Sequence, residues 1–356
     1  MTRGGPAVIT GMGQALPGVV MDQQALWDGY FAAHYTGVRM AARLFAGAGV
    51  STRHGVVNPC DEDVSRWGTG ARMERYLAEA LPLGKSAVAA ALQDAGVDAD
   101  EVAQFTVVSC TGYVTPGIDI QLARDLGMST AVQRLLVGHM GCYAAIPGLG
   151  SAADFVTARG GPAVLLCLEL PSLHVQPPSP DLDQVLAHAL FGDAAAAAVV
   201  QQAGSGGFTV VDVQARTDVT TADHMTWDVT DLGFRMGLSP RVPAVLARHV
   251  RDVVDTLLAR NHLVQSDVDA WAVHPGGKRI LEVVDERLGL PAGALDPSYQ
   301  VLERYGNCSS ATVLLVLDRL RAAGAVNPGR HAVALAFGPG LTLYTALLRL
   351  DDPRAA

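Results

Sequence analysis

Residues 137–145 read Val137-Gly138-His139-Met140-Gly141-Cys142-Tyr143-Ala144-Ala145, a glycine-flanked turn running into an Ala-rich segment. Glycine permits the sharp turn, and a helix starting there would aim unpaired N–H groups and the positive end of its dipole at the Cys142 thiol. Upstream, the apolar run Phe105–Ser109 ends at Cys110-Thr111-Gly112; downstream, Ala163–Leu168 is a further apolar run. The pattern returns later in the chain at nearly the same spacing. There Ala270–Val273 ends at His274-Pro275-Gly276, Gly306-Asn307 precedes an apolar helix, and Ala332–Phe337 is the next apolar run. Continuous apolar runs alternating with helical patterns are the mark of an α/β protein with buried strands. A repeat of this kind would bring Cys110, Cys142, His274 and Asn307 together at strand ends and helix starts, where open α/β sheets bind ligands.

The other elements fit this reading. Ala7–Thr10, Ala195–Gln201, Phe208–Gln214 and Leu341–Leu347 read as strands, and Gly84–Ala95, Asp119–Leu126, Ile146–Ala158, Val242–Asn261, Lys278–Leu288 and Ala311–Ala323 as helices. The expected division is a half over 1–215 carrying the nucleophilic cysteine and a half over 216–356 carrying the histidine and the asparagine.

The 356 residues are 49% hydrophobic and only 17% charged, against roughly 25% charged in an average soluble protein. The chain therefore holds a large core and is not a disordered one. Its net charge of −9 argues against a nucleic-acid partner. No run approaches the ~18 consecutive apolar residues of a membrane span, and the N-terminal stretch does not read as a secretory signal, so the expected address is the cytoplasm. Five cysteines (Cys60, Cys110, Cys142, Cys167 and Cys308) without CxxC spacing suggest neither a disulfide framework nor a zinc site, and no metal is expected.

Cysteine, histidine and asparagine at element termini suit nucleophilic chemistry on an acyl group: a thiolate to attack, an imidazole to pair with it and an amide to hold an oxyanion. Each residue alone has an ordinary structural reading, as a packed thiol, a satisfied histidine or a helix cap. Their joint occurrence is what raises them.

In these motifs the chain resembles the type III polyketide synthases, the chalcone synthase-like branch of the thiolase superfamily. The matching pieces are Gly141-Cys142-Tyr143-Ala144, Leu190-Phe191-Gly192-Asp193, the stretch around Phe234, His274-Pro275-Gly276-Gly277, Gly306-Asn307-Cys308-Ser309-Ser310-Ala311 and Phe337-Gly338-Pro339-Gly340-Leu341-Thr342. They fall in the family's order, and the chain length suits a bacterial member. The resemblance implies a five-layered αβαβα thiolase-like fold with internal duplication, a homodimer, and acyltransfer in which Cys142 carries an acyl-CoA starter while His274 and Asn307 assist decarboxylative addition of malonyl-CoA units. Phe191 and Phe234 match the family's gate residues, Gly338-Pro339-Gly340 its cyclisation loop, and Cys110, Thr111 and His174 positions lining its cavity. Coenzyme A thioesters would be substrates, with no separate cofactor. For the coenzyme A mouth the family's lysines are missing near Phe45–Arg53, which leaves Arg53, Lys278 and Arg279 as candidates. Ala336 and Ala194 stand where many members have glycine, small changes that bear on cavity shape alone. The expected product is a pyrone or a phenol of the alkylpyrone or alkylresorcinol kind. A ketoacyl synthase III-like enzyme making one condensation, and a Cys-His-Asn hydrolase, are the alternative readings.

Overall fold

A computed structural model describes residues 5–202 and 207–351. Its thirteen strands are β1 (Ala7–Ala15), β2 (Val19–Asp22), β3 (Thr52–Gly55), β4 (Gln104–Ser109), β5 (Gln133–Gly138), β6 (Ala163–Glu169), β7 (Ala194–Gln202), β8 (Phe208–Thr217), β9 (Met225–Thr230), β10 (Gly233–Leu238), β11 (Val268–Val273), β12 (His331–Gly338) and β13 (Thr342–Leu350). The helices of seven residues or more among the described residues are α1 (Ala41–Gly47), α2 (Thr69–Ala95), α3 (Ile118–Leu126), α4 (Ala145–Arg159), α5 (Leu182–Leu190), α6 (Val242–Arg260), α7 (Lys278–Leu288), α8 (Asp296–Tyr305) and α9 (Ala311–Ala322).

Nine strands follow one another in the order β11-β12-β13-β8-β1-β7-β6-β4-β5. The internal duplication is visible in that order. Counting outward from the centre, β1, β7, β6 and β4 mirror β8, β13, β12 and β11, and the strand directions agree pair by pair. β4–β6 and β11–β12 are parallel, while β6–β7, β7–β1, β12–β13 and β13–β8 are antiparallel. β1 and β8 join the halves through a short antiparallel contact, Val8 with Thr209 and Ile9 with Phe208. Because β8 is the counterpart of β1, the second half starts before Phe208, and the expected boundary at 215/216 cuts through a strand that belongs wholly to it.

Five layers follow from which faces are apolar. β6 is buried along its whole length, so both of its faces need cover. One core cluster places Ile146, Leu149, Ala152 and Val156 of α4 and Val313, Leu317 and Leu320 of α9 against strands of both halves, making these two helices the central layer. A second cluster joins α2 and α3 to the outer face of β4, β6 and β7, and a third joins α6 and α7 to the outer face of β11, β12 and β13. All eight strands and all six helices read from the sequence are present. β2, β3, β5 and the β9–β10 hairpin were not among them, nor were α1, α5 and α8.

Candidate active site

The turn before α4 is held from two sides. Gly141 sits at φ 82°, in the left-handed region, and a Cβ there would meet Pro339 Cδ at 2.7 Å. A Cβ on Gly338 would meet the ring of Tyr143 at 2.9 Å and the backbone nitrogen of Cys142 at 3.3 Å. The Gly338-Pro339 segment at the end of β12 is thus packed directly on the nucleophile turn, and glycine is what lets the two backbones approach.

Cys142 is buried and lines a chamber of about 20 Å³ with Cys110, Thr111, Phe191, Trp227, Ser309 and Pro339 among its walls. Burial pushes its thiol up to about 12; Ser309 and Asn307 hydrogen-bond toward it and pull the other way, while the nearby Glu169 carboxyl raises it further. Asn307 is 3% exposed, and its side-chain oxygen accepts the Ser309 backbone N–H at 2.9 Å. That Asx-type turn fixes which end of the amide is spent and leaves the NH₂ end as the free donor. His274, at the end of β11, is 1% exposed, its ring edge-on to Phe337 at 5.8 Å and its Nδ1 buried without a partner. Burial alone lowers it to about 3, so the resting imidazole is neutral. Burial thus favours the uncharged form of both groups.

Glu169, at the end of β6, went unread in the sequence. It is fully buried and accepts from the Cys110 backbone N–H (3.0 Å), the Thr111 hydroxyl (2.8 Å) and the Ser310 hydroxyl (2.5 Å), with the Cys110 sulfur 3.5 Å from both oxygens. Cys110 also lies 3.4 Å from the Ser309 hydroxyl. Burial raises the Glu169 carboxyl, and these donors oppose that rise. A lone glutamate at a strand end carries no signal of its own; it acquires one here from three polar neighbours, Cys110, Thr111 and Ser310, on two other segments.

The remaining candidates divide. Phe191 lines the chamber, whereas Phe234 and His174 line only a second cavity of about 50 Å³, whose walls share Pro171, Phe191, Trp227 and Met236 with the chamber. His174 stacks on Phe234 with ring centroids 4.6 Å apart and an interplanar angle of 9°. Its Nδ1 accepts the Phe234 backbone N–H at 3.0 Å, so Nε2 carries the proton and donates to the Thr111 carbonyl at 2.7 Å. No ring nitrogen of His174 is left for a substrate carbonyl. Trp227, missed in the sequence, donates its indole N–H to the Cys110 carbonyl at 2.6 Å and stands between the two cavities.

A groove of about 590 Å³ opens beside the chamber, with Arg43, Lys278 and Arg279 among apolar walls that include Leu186, Leu190 and Met225. Leu190 faces the groove and Phe191 the chamber; on the hairpin, Met225 and Leu238 face the groove and Trp227 and Met236 the chamber. Arg279 is partly engaged by Glu282 and Glu286. Arg53 is not in the groove: it is 3% exposed and its two terminal nitrogens donate to the carbonyls of His188, Ala189 and Phe191 and to Gln23, a correction to its expected place at the mouth. Arg43 is the cation that sequence reading passed over. Among the described residues, no group of three or more His, Cys, Asp or Glu is placed to hold a metal, and no helix is long and apolar enough to cross a membrane.

Models of the chalcone and stilbene synthases match most of the chain, the N-terminal domain over residues 1–204 and the C-terminal domain over 213–350. The chain belongs to this family. It is a type III polyketide synthase, an acyltransferase-type enzyme with the thiolase-like fold. This synthase is 35% identical over 313 residues to the 1,3,6,8-tetrahydroxynaphthalene synthase of Streptomyces peucetius subsp. caesius, covering 86% of this chain and 82% of that one. It is 32% identical over 317 residues to an alpha-pyrone synthesis polyketide synthase-like protein of Mycobacterium tuberculosis, covering 85% and 80%. Among solved structures, the 1,3,6,8-tetrahydroxynaphthalene synthase of Streptomyces coelicolor A3(2) superposes with a TM-score of 0.92 at 29% identity, covering 97% of this chain and 99% of that one. A polyketide synthase of the brown alga Ectocarpus siliculosus gives 0.91 at 30% identity, covering 97% and 98%. Membership in this family removes the hydrolase alternative.

Proposed function

We propose that this synthase loads a short acyl group from coenzyme A onto Cys142 and extends it with malonyl-CoA units to a small pyrone or phenol. The observation that carries the reading is the hydrogen bond of the Asn307 amide toward the Cys142 thiol, which lines a buried chamber whose Phe191 wall is one residue from the Leu190 wall of a cation-bearing groove.

Arg43, Lys278 and Arg279 would meet the coenzyme A phosphates at the groove, and its apolar walls the pantetheine arm. Loading transfers the thiol proton of Cys142 toward His274 as sulfur attacks the thioester carbonyl; the new C–S bond forms, the old one breaks, and coenzyme A leaves with a proton. Malonyl-CoA then loses carbon dioxide. The electron pair of the broken C–C bond passes to the thioester oxygen, where the Asn307 NH₂ and a His274 ring N–H donate to the enolate, the kind of donor worth roughly 3–4 kcal/mol each. The enolate carbon attacks the Cys142 thioester, a C–C bond forms, and the thiolate is released for another round. No electron donor or acceptor is required at any step.

The size of the starter follows from Trp227. A long alkyl chain on Cys142 needs the space beyond the chamber, and the indole stands between the two cavities. A short starter is therefore favoured over a long-chain one. A homodimer is part of the same reading: β5 is an edge strand whose Leu135 and Leu136 are 39% and 45% exposed, the kind of edge a second copy covers. Mass spectrometry of products from malonyl-CoA with a panel of starters tests the function. Carbon dioxide, coenzyme A and a pyrone or phenol are expected; activity confined to carrier-protein substrates would replace this reading with the single-condensation one.

A further inference from the structure

Arg53 lies on β3 beneath the turn that ends α5. Its Nη1 donates to the carbonyls of His188 (2.7 Å) and Phe191 (2.8 Å), and its Nη2 to the carbonyl of Ala189 (2.8 Å) and to the side-chain oxygen of Gln23. Gln23 in turn donates its amide to the carbonyls of Ala189 and Phe45. The carbonyl skipped in this series, that of Leu190, accepts the backbone N–H of Asn307 at 2.8 Å, and the Asn307 carbonyl accepts from Gly192 N–H at 3.1 Å. Every carbonyl from 188 to 191 is thus taken, three by Arg53 and one by Asn307. The last carbonyls of a helix lack intrahelical partners, and a cation at that end also suits the helix dipole.

We propose that Arg53 is a positioning residue for the Asn307 amide and the Phe191 wall, holding between them the turn on which both depend, and that it makes no contact with coenzyme A. The inference rests on the function proposed above. Burial supports it, since no phosphate reaches a side chain 3% exposed, and so does fork geometry. A guanidinium places several donors at fixed angles, whereas an ammonium is a single point and cannot span carbonyls 188, 189 and 191 together. The cation is also kept without a hydrogen-bonded carboxylate: the nearest acid, Asp193, spends its oxygens on Val56 N–H, Ser172 N–H and the Ser172 hydroxyl.

The test is the steady-state kinetics of malonyl-CoA decarboxylation and of condensation for Arg53→Lys and Gln23→Met, with Lys278→Ala as the groove comparison. Arg53→Lys is expected to lower kcat about tenfold or more while KM for malonyl-CoA stays within about twofold, because a displaced donor costs rate and not binding. Gln23→Met, which removes one partner and keeps the arginine, is expected to lower kcat about threefold to tenfold and carries the test if Arg53→Lys does not fold. A raised KM with intact kcat in Arg53→Lys would make Arg53 a coenzyme A contact and overturn the proposal. So would wild-type kcat in folded Arg53→Lys or in Gln23→Met, even if the melting temperature fell. Wild-type enzyme inert toward malonyl-CoA with every starter would instead overturn the function on which the proposal rests.

Discussion

The backbones of Phe191 and Asn307 run side by side as a parallel bridge, so that one wall of the Cys142 chamber and the amide aimed at the thiol are parts of a single hydrogen-bonded unit. Two segments far apart in the chain are locked in register. Asn307 contributes its NH₂ end because its oxygen is already occupied by Ser309 N–H.

Asn307→Asp tests that polarity. The replacement keeps the shape and puts a second acceptor where a donor is needed. Decarboxylation of malonyl-CoA is expected to fall by about 10²–10³. A normal rate in Asn307→Asp would remove the amide from the oxyanion site.

Trp227→Ala joins the two cavities across their shared wall. It is expected to raise kcat/KM for medium and long acyl-CoA starters by about tenfold or more and to lengthen the products, with short starters still accepted. Unchanged starter preference in the folded variant would show that the indole is not the limiting wall.

Acid should destabilise the fold in a defined window. Burial lowers His174, His188 and His274 to about 3, below the usual histidine value of 6.5, so the unfolded chain binds protons that the native one refuses. The stability they contribute is complete above pH ~6.5 and is lost as pH falls toward 3, each group adding a slope of about 1.4 kcal/mol per pH unit. Asp193, raised to about 7 by burial, acts in the opposite sense between 3.8 and 7 and offsets one of the three. Melting temperatures measured from pH 7 to pH 5 should fall steadily, and His174→Gln should flatten the slope by one group's share. An identical slope in that variant would mean that His174 is not held neutral.

The exposed edge of β5 gives a prediction about assembly. Leu136→Asp places a charge where a second copy is expected to pair, and light scattering should show the dimer shifted toward monomer. A wild-type protein that is monomeric at every concentration would contradict the assembly outright.

What could be read in advance was what sits between two layers. Ala163–Leu168 is apolar throughout because both of its faces are covered, and the run alone announces a strand. β5 reads Gln133-Arg134-Leu135-Leu136-Val137-Gly138, an edge with neither alternation nor an unbroken apolar run, and it escaped notice. The β9–β10 hairpin mixes charged and apolar residues, so Trp227 was lost with it. Cys142, His274 and Asn307 stood out in the sequence because glycines in the adjoining turns mark them. Arg53 was misplaced for a general reason: arginine is ordinarily a surface residue, and only the tertiary arrangement of the carbonyls at 188, 189 and 191 makes a buried one tolerable. Glu169 is the same case with the charge reversed.

The central claim is that Cys142 carries the growing chain. Peptide mass spectrometry of the enzyme quenched during turnover with an acyl-CoA starter tests it most directly. The starter acyl mass is predicted on the peptide containing Cys142 and nowhere in Cys142→Ala, which should still release some carbon dioxide from malonyl-CoA; product formation continuing in Cys142→Ala, or an acyl adduct on another residue, would contradict it.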